Sequence, residues 1–384
     1  VWVLGCVSLF MDVSSEMIHS LLPMFLMASL GASAAMIGVI EGIAEATAPV
    51  VKVFSGALSD YLNNRKWLAV AGYGLGALSK PLFAVAPGIG VVVTARIMDR
   101  IGKGIRGAPR DALVADVTPP HLRGAAYGLR QSLDTVGAFV GPLLAVGVML
   151  AWADNFRLAF WLAVIPGVLA VALLALAVQE PEHKATEKRV NPIRWENLKR
   201  LGLDYWWVTA VGAVFSLARF SEAFRVCRAQ QTGCNIAWIP GAMAIMSVVY
   251  SLSAYPAGVL SDRVDRRILL ALGLVILIAA DLVLGAGASI VTVLIGVALW
   301  GLHMGLTQGI LAAMVAETAP QALRGNAGGR CNLGSGGGML FASVIAGWLW
   351  DSHGAPATFY AGAALAVIPL AMCRFAPRLA KQNH

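Results

Sequence analysis

Residues 56–68 read GALSDYLNNRKWL, and residues 258–270 read GVLSDRVDRRILL. Gly56, Leu58, Asp60 and Arg65 recur as Gly258, Leu260, Asp262 and Arg267. A second pair stands at nearly the same offset: ALVADVTPPHLRGAAYG (112–128) matches AMVAETAPQALRGNAGG (313–329). There Asp116, Pro119, Leu122, Arg123 and Gly124 recur as Glu317, Pro320, Leu323, Arg324 and Gly325. Two independent matches at one spacing identify an internal duplication, so the chain reads as two related halves.

Composition says what the halves are made of. Of 384 residues only 13% are charged and 58% are hydrophobic, whereas a soluble domain carries roughly 25% charged residues. Runs such as AFWLAVIPGVLAVALLALAV (159–178) and ILLALGLVILIAADLVLGAGA (268–288) have the ~20 residues that cross a bilayer core as a helix. Backbone groups in lipid must bond within their own segment, so these runs are helical. Polar and Pro/Gly punctuation gives spans at 2–29, 34–58, 66–86, 89–116, 122–151, 157–178, 204–230, 236–260, 267–287, 290–317, 323–350 and 356–375. The expected fold is an all-α integral membrane protein. Its twelve transmembrane helices form two pseudo-symmetric six-helix bundles, 1–178 and 204–384, joined by a polar linker at 179–203.

Lys and Arg set the orientation. Alternate connections hold Arg65, Lys66, Arg123, the six basic residues of the linker, Arg263, Arg266, Arg267 and Arg324, while the opposite set holds essentially Arg157. The positive-inside rule places both termini and the linker in the cytoplasm. The net charge of +8 is then that of basic loops at a membrane face, and no nucleic-acid partner is implied. The five cysteines, Cys6, Cys227, Cys234, Cys331 and Cys373, form no CxxC pair, so neither a disulfide framework nor a zinc site is expected. No cleavable signal peptide is expected. Val1 already lies in an apolar segment without an initiator Met, so a native N-terminus further upstream is expected.

Against this background one stretch stands out. RIMDRIGKGIRGAPRDALVAD (96–116) carries Arg96, Asp99, Arg100, Lys103, Arg106, Arg110 and Asp111. At about 100° per residue these seven charges share one face of a helix, roughly 140° wide. A charge facing lipid costs several kcal/mol, so this face is expected to line a central cavity. For Arg106 and Arg110 the competing reading is anchoring at the membrane surface by snorkelling. The GKG triplet is no phosphate loop, because the spacing G-x-x-x-x-G-K-[ST] after a strand is missing. Acids that answer the basic face lie at i, i+4 on neighbouring spans: Asp12 with Glu16, Glu41 with Glu45, and Arg130 with Asp134. A buried carboxylate whose arginine contact changes between states can load and release a proton. Glu41 and Glu45 lead this group; the competing reading is permanent ion pairs that hold helices together. In the second half Arg219, Glu222, Arg225 and Arg228 share the seventh span, Asp281 lies on the ninth, and His303, Gln308 and Glu317 lie on the tenth. Gln308 and His303 are candidate cavity groups, with plain packing the alternative for His303. The eleventh span, GGRCNLGSGGGML (328–340), carries Arg330 and a glycine run that reads as a hinge or as damage.

The motifs resemble those of the major facilitator superfamily over essentially the whole chain. That family's loop motif, G-x-L-[AS]-D-R-x-G-R-[RK], is matched by Gly56, Asp60 and Arg65 and again by Gly258, Asp262, Arg266 and Arg267. Its inner glycine is replaced by Asn63 and Asp265, residues tolerant of positive φ. The resemblance implies a cytoplasmic gate in which Asp60 and Asp262 cap a helix or pair with arginines; a plain basic loop is the alternative. RIMDRIGKG is similar to the family's R-x-x-x-G-x-G motif on the fourth span, whose arginine is linked to proton coupling. That arginine is Arg96 or Arg100, and the register of Pro109, Asp116 and Pro119 favours Arg96. The remaining charges resemble a bacterial subgroup with a GKGIRGAPRDAL signature. Gly128, Gly137, Gly141 and Pro142 fit G-x8-G-x3-G-P-x2-G, with Ala145 replacing the last Gly, and resemble the antiporter signature of drug exporters; close helix packing is the alternative.

These implications add up to a monomeric carrier of the bacterial inner membrane, not an enzyme and without cofactor or metal. It is expected to move a small organic solute by alternating access, as a proton-coupled exporter. Import of an anionic metabolite or siderophore is the second reading, and a non-transporting sensor or scaffold the third.

Overall fold

The computed structural model describes residues 1–62, 64–119, 122–179, 202–261, 264–318 and 324–375. Asn63, Asp262, Arg263, the 180–201 linker segment and the side chains of Asp60, Glu317, Arg324 and Arg330 lie outside that description. Within it the chain is helical: α1 (Trp2–His19), α2 (Leu22–Met24), α3 (Ala34–Leu62), α4 (Arg65–Val85), α5 (Ile89–Asp116), α6 (Arg123–Ala151), α7 (Phe156–Ala177), α8 (Leu203–Leu217), α9 (Ala223–Gln231), α10 (Ile239–Ser261), α11 (Arg266–Ala286), α12 (Ile290–Thr318), α13 (Arg324–His353) and α14 (Ala355–Phe375). Among the described residues nine helices are long and apolar enough to cross a membrane. The exceptions are instructive. α1 and α5 carry the ionisable residues, and α8 has only 15 residues.

Two expected spans are interrupted. Pro23 has no N–H, and its ring would clash with the carbonyl of residue 19 in a continuing helix. α1 accordingly stops at His19, Pro23 sits in the first turn of α2, and a π-helical turn at Phe25–Ser29 completes the pass. The seventh span breaks between α8 and α9. There Ser221 N donates to Ser343 Oγ at 3.1 Å, and Ser221 Oγ accepts from Ala223 N at 3.3 Å. Side-chain oxygens thus take over bonds that a helix would make along its backbone.

The loop residue that replaces the family's inner glycine in the second half acts differently from expectation. Asp265 has φ −59° and accepts from Arg267 N at 2.9 Å, which makes it the N-cap of α11. Asn64 caps α4 in the same way, accepting from Trp67 N at 3.2 Å. Capping, not a left-handed backbone, explains Asp265 there, while its counterpart Asn63 lies outside the described residues. The glycine run of α13 causes no break here: the helix runs from Arg324 to His353. A Cβ at Gly338 would stand 2.9 Å from Ser216 Cβ, and one at Gly347 would stand 2.8 Å from Ala35 Cα. These glycines let α13 press against α8 and α3.

The packing repeats between the halves. In the first, α3 and α4 pack on α5, α1 on α6 and α7, and α4 on α7. In the second, α10 and α11 pack on α12, α8 on α13 and α14, and α11 on α14. The halves meet along α3 with α13 and α6 with α10, two seams that also correspond. Asp351 at the end of α13 crosses the first seam, accepting from Ala34 N at 3.1 Å and Ala35 N at 2.8 Å. Outward faces carry exposed Phe54, Leu78, Trp161, Leu176 and Leu252, an apolar surface suited to lipid.

Candidate functional site

The charged helix α5 is held by its glycines. A Cβ at Gly102 would lie 2.7 Å from Gly72 O on α4, and one at Gly104 would lie 2.8 Å from Ala48 O on α3. The glycines of GKGIRG therefore bring backbones together. The seven charges do not share one destination, which corrects the single-face expectation. Arg96, Arg100 and Lys103 line a central cavity, Asp99 turns toward α1 and α4, and Arg106, Arg110 and Asp111 point to α1, α3 and α6.

At the cavity Arg96 Nη2 donates to Glu41 Oε2 at 2.6 Å and lies 3.8 Å from Glu45 Oε1. Arg100 Nη2 stands 2.8 Å from Glu45 Oε1. Arg96 is 3% exposed and Glu41 4%, so this is a buried ion pair on α5 and α3. Ser221 of the second half reaches it, its Oγ 3.5 Å from Glu41 Oε2. Arg96 Nε and Nη1 and Arg100 Nε have no hydrogen-bond partner among the described residues. The cavity has a volume of about 210 Å³ and includes Glu16, His19, Lys103, Glu222 and Met339 in its walls. Its lining comes from both halves.

Behind it lies a pair the sequence reading missed. Lys80 of α4, fully buried, donates to Asp99 Oδ1 at 2.7 Å and to Ser15 Oγ at 3.0 Å. His19, also missed, stands 3.3 Å from Asp99 Oδ2 and 3.6 Å from Glu16 Oε1. A lysine next to a proline in an apolar span gave no pattern to read. Its partner lies on another helix.

A second cluster joins α1, α5 and α6. Arg106, stacked 4.7 Å over the Tyr73 ring, stands 3.7 Å from Asp12. Asp134 lies 3.8 Å from Arg110 and 3.6 Å from Arg130, so it and Asp12 share one group of arginines. Arg106 is buried, 4% exposed, so it is no surface anchor. Two residues of the antiporter-like pattern hold α6 against this acidic helix. A Cβ at Gly137 would stand 2.7 Å from Leu9 O, and one at Gly141 would stand 2.9 Å from Glu16 Cβ. Gly128 meets nothing within 4 Å, and Pro142 stays within α6.

The side chain of Asp60 and residue Asp262, on which the expected gate turns, lie outside the described residues. Arg65 pairs with Asp116 inside the first half. Arg267 bonds its neighbour Asp265, Nη2 to Oδ2 at 2.7 Å. Gly56 faces Ala108 at ordinary contact distance and Gly258 faces open space. In the second half Gln308 is half-buried and not in the cavity wall. His303 also stays out: its Nδ1 is 2.8 Å from Gly273 O and its ring packs edge-on to Phe215 and Trp300. Arg225 is fully buried and lies 3.7 Å over the Trp300 ring, whose Nε1 donates to Asp281 at 2.9 Å.

Comparison with known proteins sets this geometry in context. The sequence model of the Major Facilitator Superfamily matches residues 4–231 and 229–383. An uncharacterized MFS-type transporter of Methanocaldococcus jannaschii is 30% identical over 376 residues, 96% of this chain and 92% of the relative. Multidrug resistance protein MdtH of Proteus mirabilis is 25% identical over 331 residues, 84% of this chain and 80% of the relative. Among solved structures, a bacterial homolog of the human lysosomal transporter Spinster, inward-facing and occupied, superposes with TM-score 0.81 at 15% identity over 99% of this chain and 96% of that one. A POT family transporter in complex with 5-aminolevulinic acid superposes with TM-score 0.83 at 12% identity over 99% and 96%.

Proposed function

This chain belongs to the major facilitator superfamily, a family of membrane transporters rather than enzymes, and we propose that it is a proton-coupled carrier that exports a small organic solute across the bacterial inner membrane. α1 with α2 and the π-helical turn count as one pass, as do α8 with α9. With those joins the chain has twelve passes in two bundles of six, 1–178 and 204–384, joined by the cytoplasmic linker 179–203, with both termini cytoplasmic. It acts as a monomer.

The observation that carries the reading is the Arg96–Glu41 pair. It is buried, it borders the cavity, and Ser221 from the opposite half reaches it. When the halves rock against one another, Glu41 loses or gains partners while Arg96 stays charged. A carboxyl moved away from its arginine in a buried site takes up a proton, and one returned to it releases that proton. The cluster of Asp12 and Asp134 with Arg106, Arg110 and Arg130 offers a second place for the same exchange, since helix movement changes which arginine faces each carboxylate. Export is supported by the likeness to a multidrug resistance protein.

The test is proton release from the purified protein, screened against a compound library at neutral pH. Release by compounds that bind, abolished in Glu41→Gln and reduced at least about tenfold in Arg96→Ala while both variants still fold, is the expected result. Compounds that bind without release from the unaltered chain would remove the coupling.

A further inference from the structure

The cavity that borders Arg96 and Glu41 carries information about what fits in it. Drug-sized ligands occupy pockets of roughly 300–1,000 Å³. This one, at about 210 Å³, falls below that range. Nine of its fourteen lining residues are polar or charged. Lipophilic molecules gain little from such a wall, because its polar groups lose water without new partners.

The charges that reach open space differ from those that do not. The guanidinium groups of Arg96 and Arg100 are only 3% and 7% exposed, and each is engaged by a glutamate. Their unpartnered nitrogens have essentially no accessible surface. The carboxylates are more open even where they have partners: Glu16, 3.6 Å from His19, is 26% exposed, Glu45 is 28% exposed, and Glu222, 3.6 Å from Arg225, is 41% exposed. Lys103 is the exposed cation of the lining. Glu16 stands on α1 and Glu222 on the α8–α9 break, so two like charges face one cavity from opposite halves and repel. A cation between them removes that repulsion and draws the two halves together, which ties binding to closure.

We infer that the solute is a small hydrophilic organic cation bearing an ammonium or amidinium group, held between Glu16 and Glu222. This rests on the cavity being the transport site, but not on the coupling ion. The test uses the full chain in detergent with three probes: agmatine, glutarate and tetraphenylphosphonium. Calorimetric titration is expected to show agmatine binding, weakened about tenfold in Glu222→Gln by loss of a charge-assisted contact and strengthened in Lys103→Gln by removal of a like charge. The second variant gives a gain that misfolding does not mimic. No agmatine binding, glutarate binding that vanishes in Lys103→Gln, or binding of tetraphenylphosphonium alone overturns the inference. Proton release measured in parallel separates the two readings. Agmatine bound with no proton movement removes the coupling and leaves the solute class standing. Proton release driven by glutarate does the reverse.

Discussion

The two halves of this chain share a packing plan and differ in what they bury. In the first half, Lys80 meets Asp99, Arg96 meets Glu41, Arg100 meets Glu45, and Arg106 lies near Asp12. In the second, Arg225 is just as buried, yet Nε, Nη1 and Nη2 have no hydrogen-bond partner among the described residues; its broad contact is the Trp300 ring, and its one carboxylate neighbour among the described residues, Glu222 at 3.6 Å, is half-exposed. One copy of a duplicated scaffold became an ionic network. The other kept its cations on aromatic faces. A scaffold set by helix packing leaves the chemistry free to diverge, because the close helix approaches rest on small residues such as Gly102 and Gly338 and not on the charges themselves.

Four substitutions break or sharpen that contrast, each read as thermal stability of the purified protein. The largest loss is expected for Lys80→Met. It strands a buried Asp99 carboxylate and costs about 3–5 kcal/mol, and the double variant with Asp99→Asn should recover most of it. Trp300→Phe comes next. It removes the donor to Asp281 and costs about 1.5–3 kcal/mol, again relieved when Asp281→Asn is added. Gly141→Val forces α6 away from Glu16 and Val13 on α1 and costs about 1–3 kcal/mol. Arg225→Met should change stability by about 1 kcal/mol, because unpartnered donors are lost along with the cation–π contact and the partner left behind, Glu222, is open enough to be hydrated. If Arg225→Met proved as damaging as Lys80→Met, the two halves would not differ in the way described.

Much of the scaffold was legible in the sequence because its signals are local or repeated. The paired motifs gave the duplication, and the apolar runs gave most of the helices within a few residues. The breaks were harder. Pro23 lies in an apolar run that reads as one span, and only the lost bond to residue 19 ends α1. The α8–α9 break depends on Ser343, a residue from α13 that no window around Ser221 contains. The same limit governs the site. Spacing at i, i+4 identified Glu41, Glu45, Asp12 and Glu16, but partner choice is set by how helices pack. Lys80 and His19 carried no periodic signature, and the face of α5 reads as one stripe although three neighbours divide it. Asp265 was singled out for the wrong reason: its side chain, not its backbone, shapes the turn.

The Asp351 contact across the α3–α13 seam has a consequence of its own. Its carboxylate is exposed, and it holds the first N–H groups of α3 from the other half. When that seam parts, water can take over both ends of each bond, so the net cost is small, about 0.5–1.5 kcal/mol per bond. Lys80 and Asp99 have no such replacement at hand. A machine that must come apart and close again in every cycle needs its breakable joints wet and its permanent ones dry, and this chain has one of each.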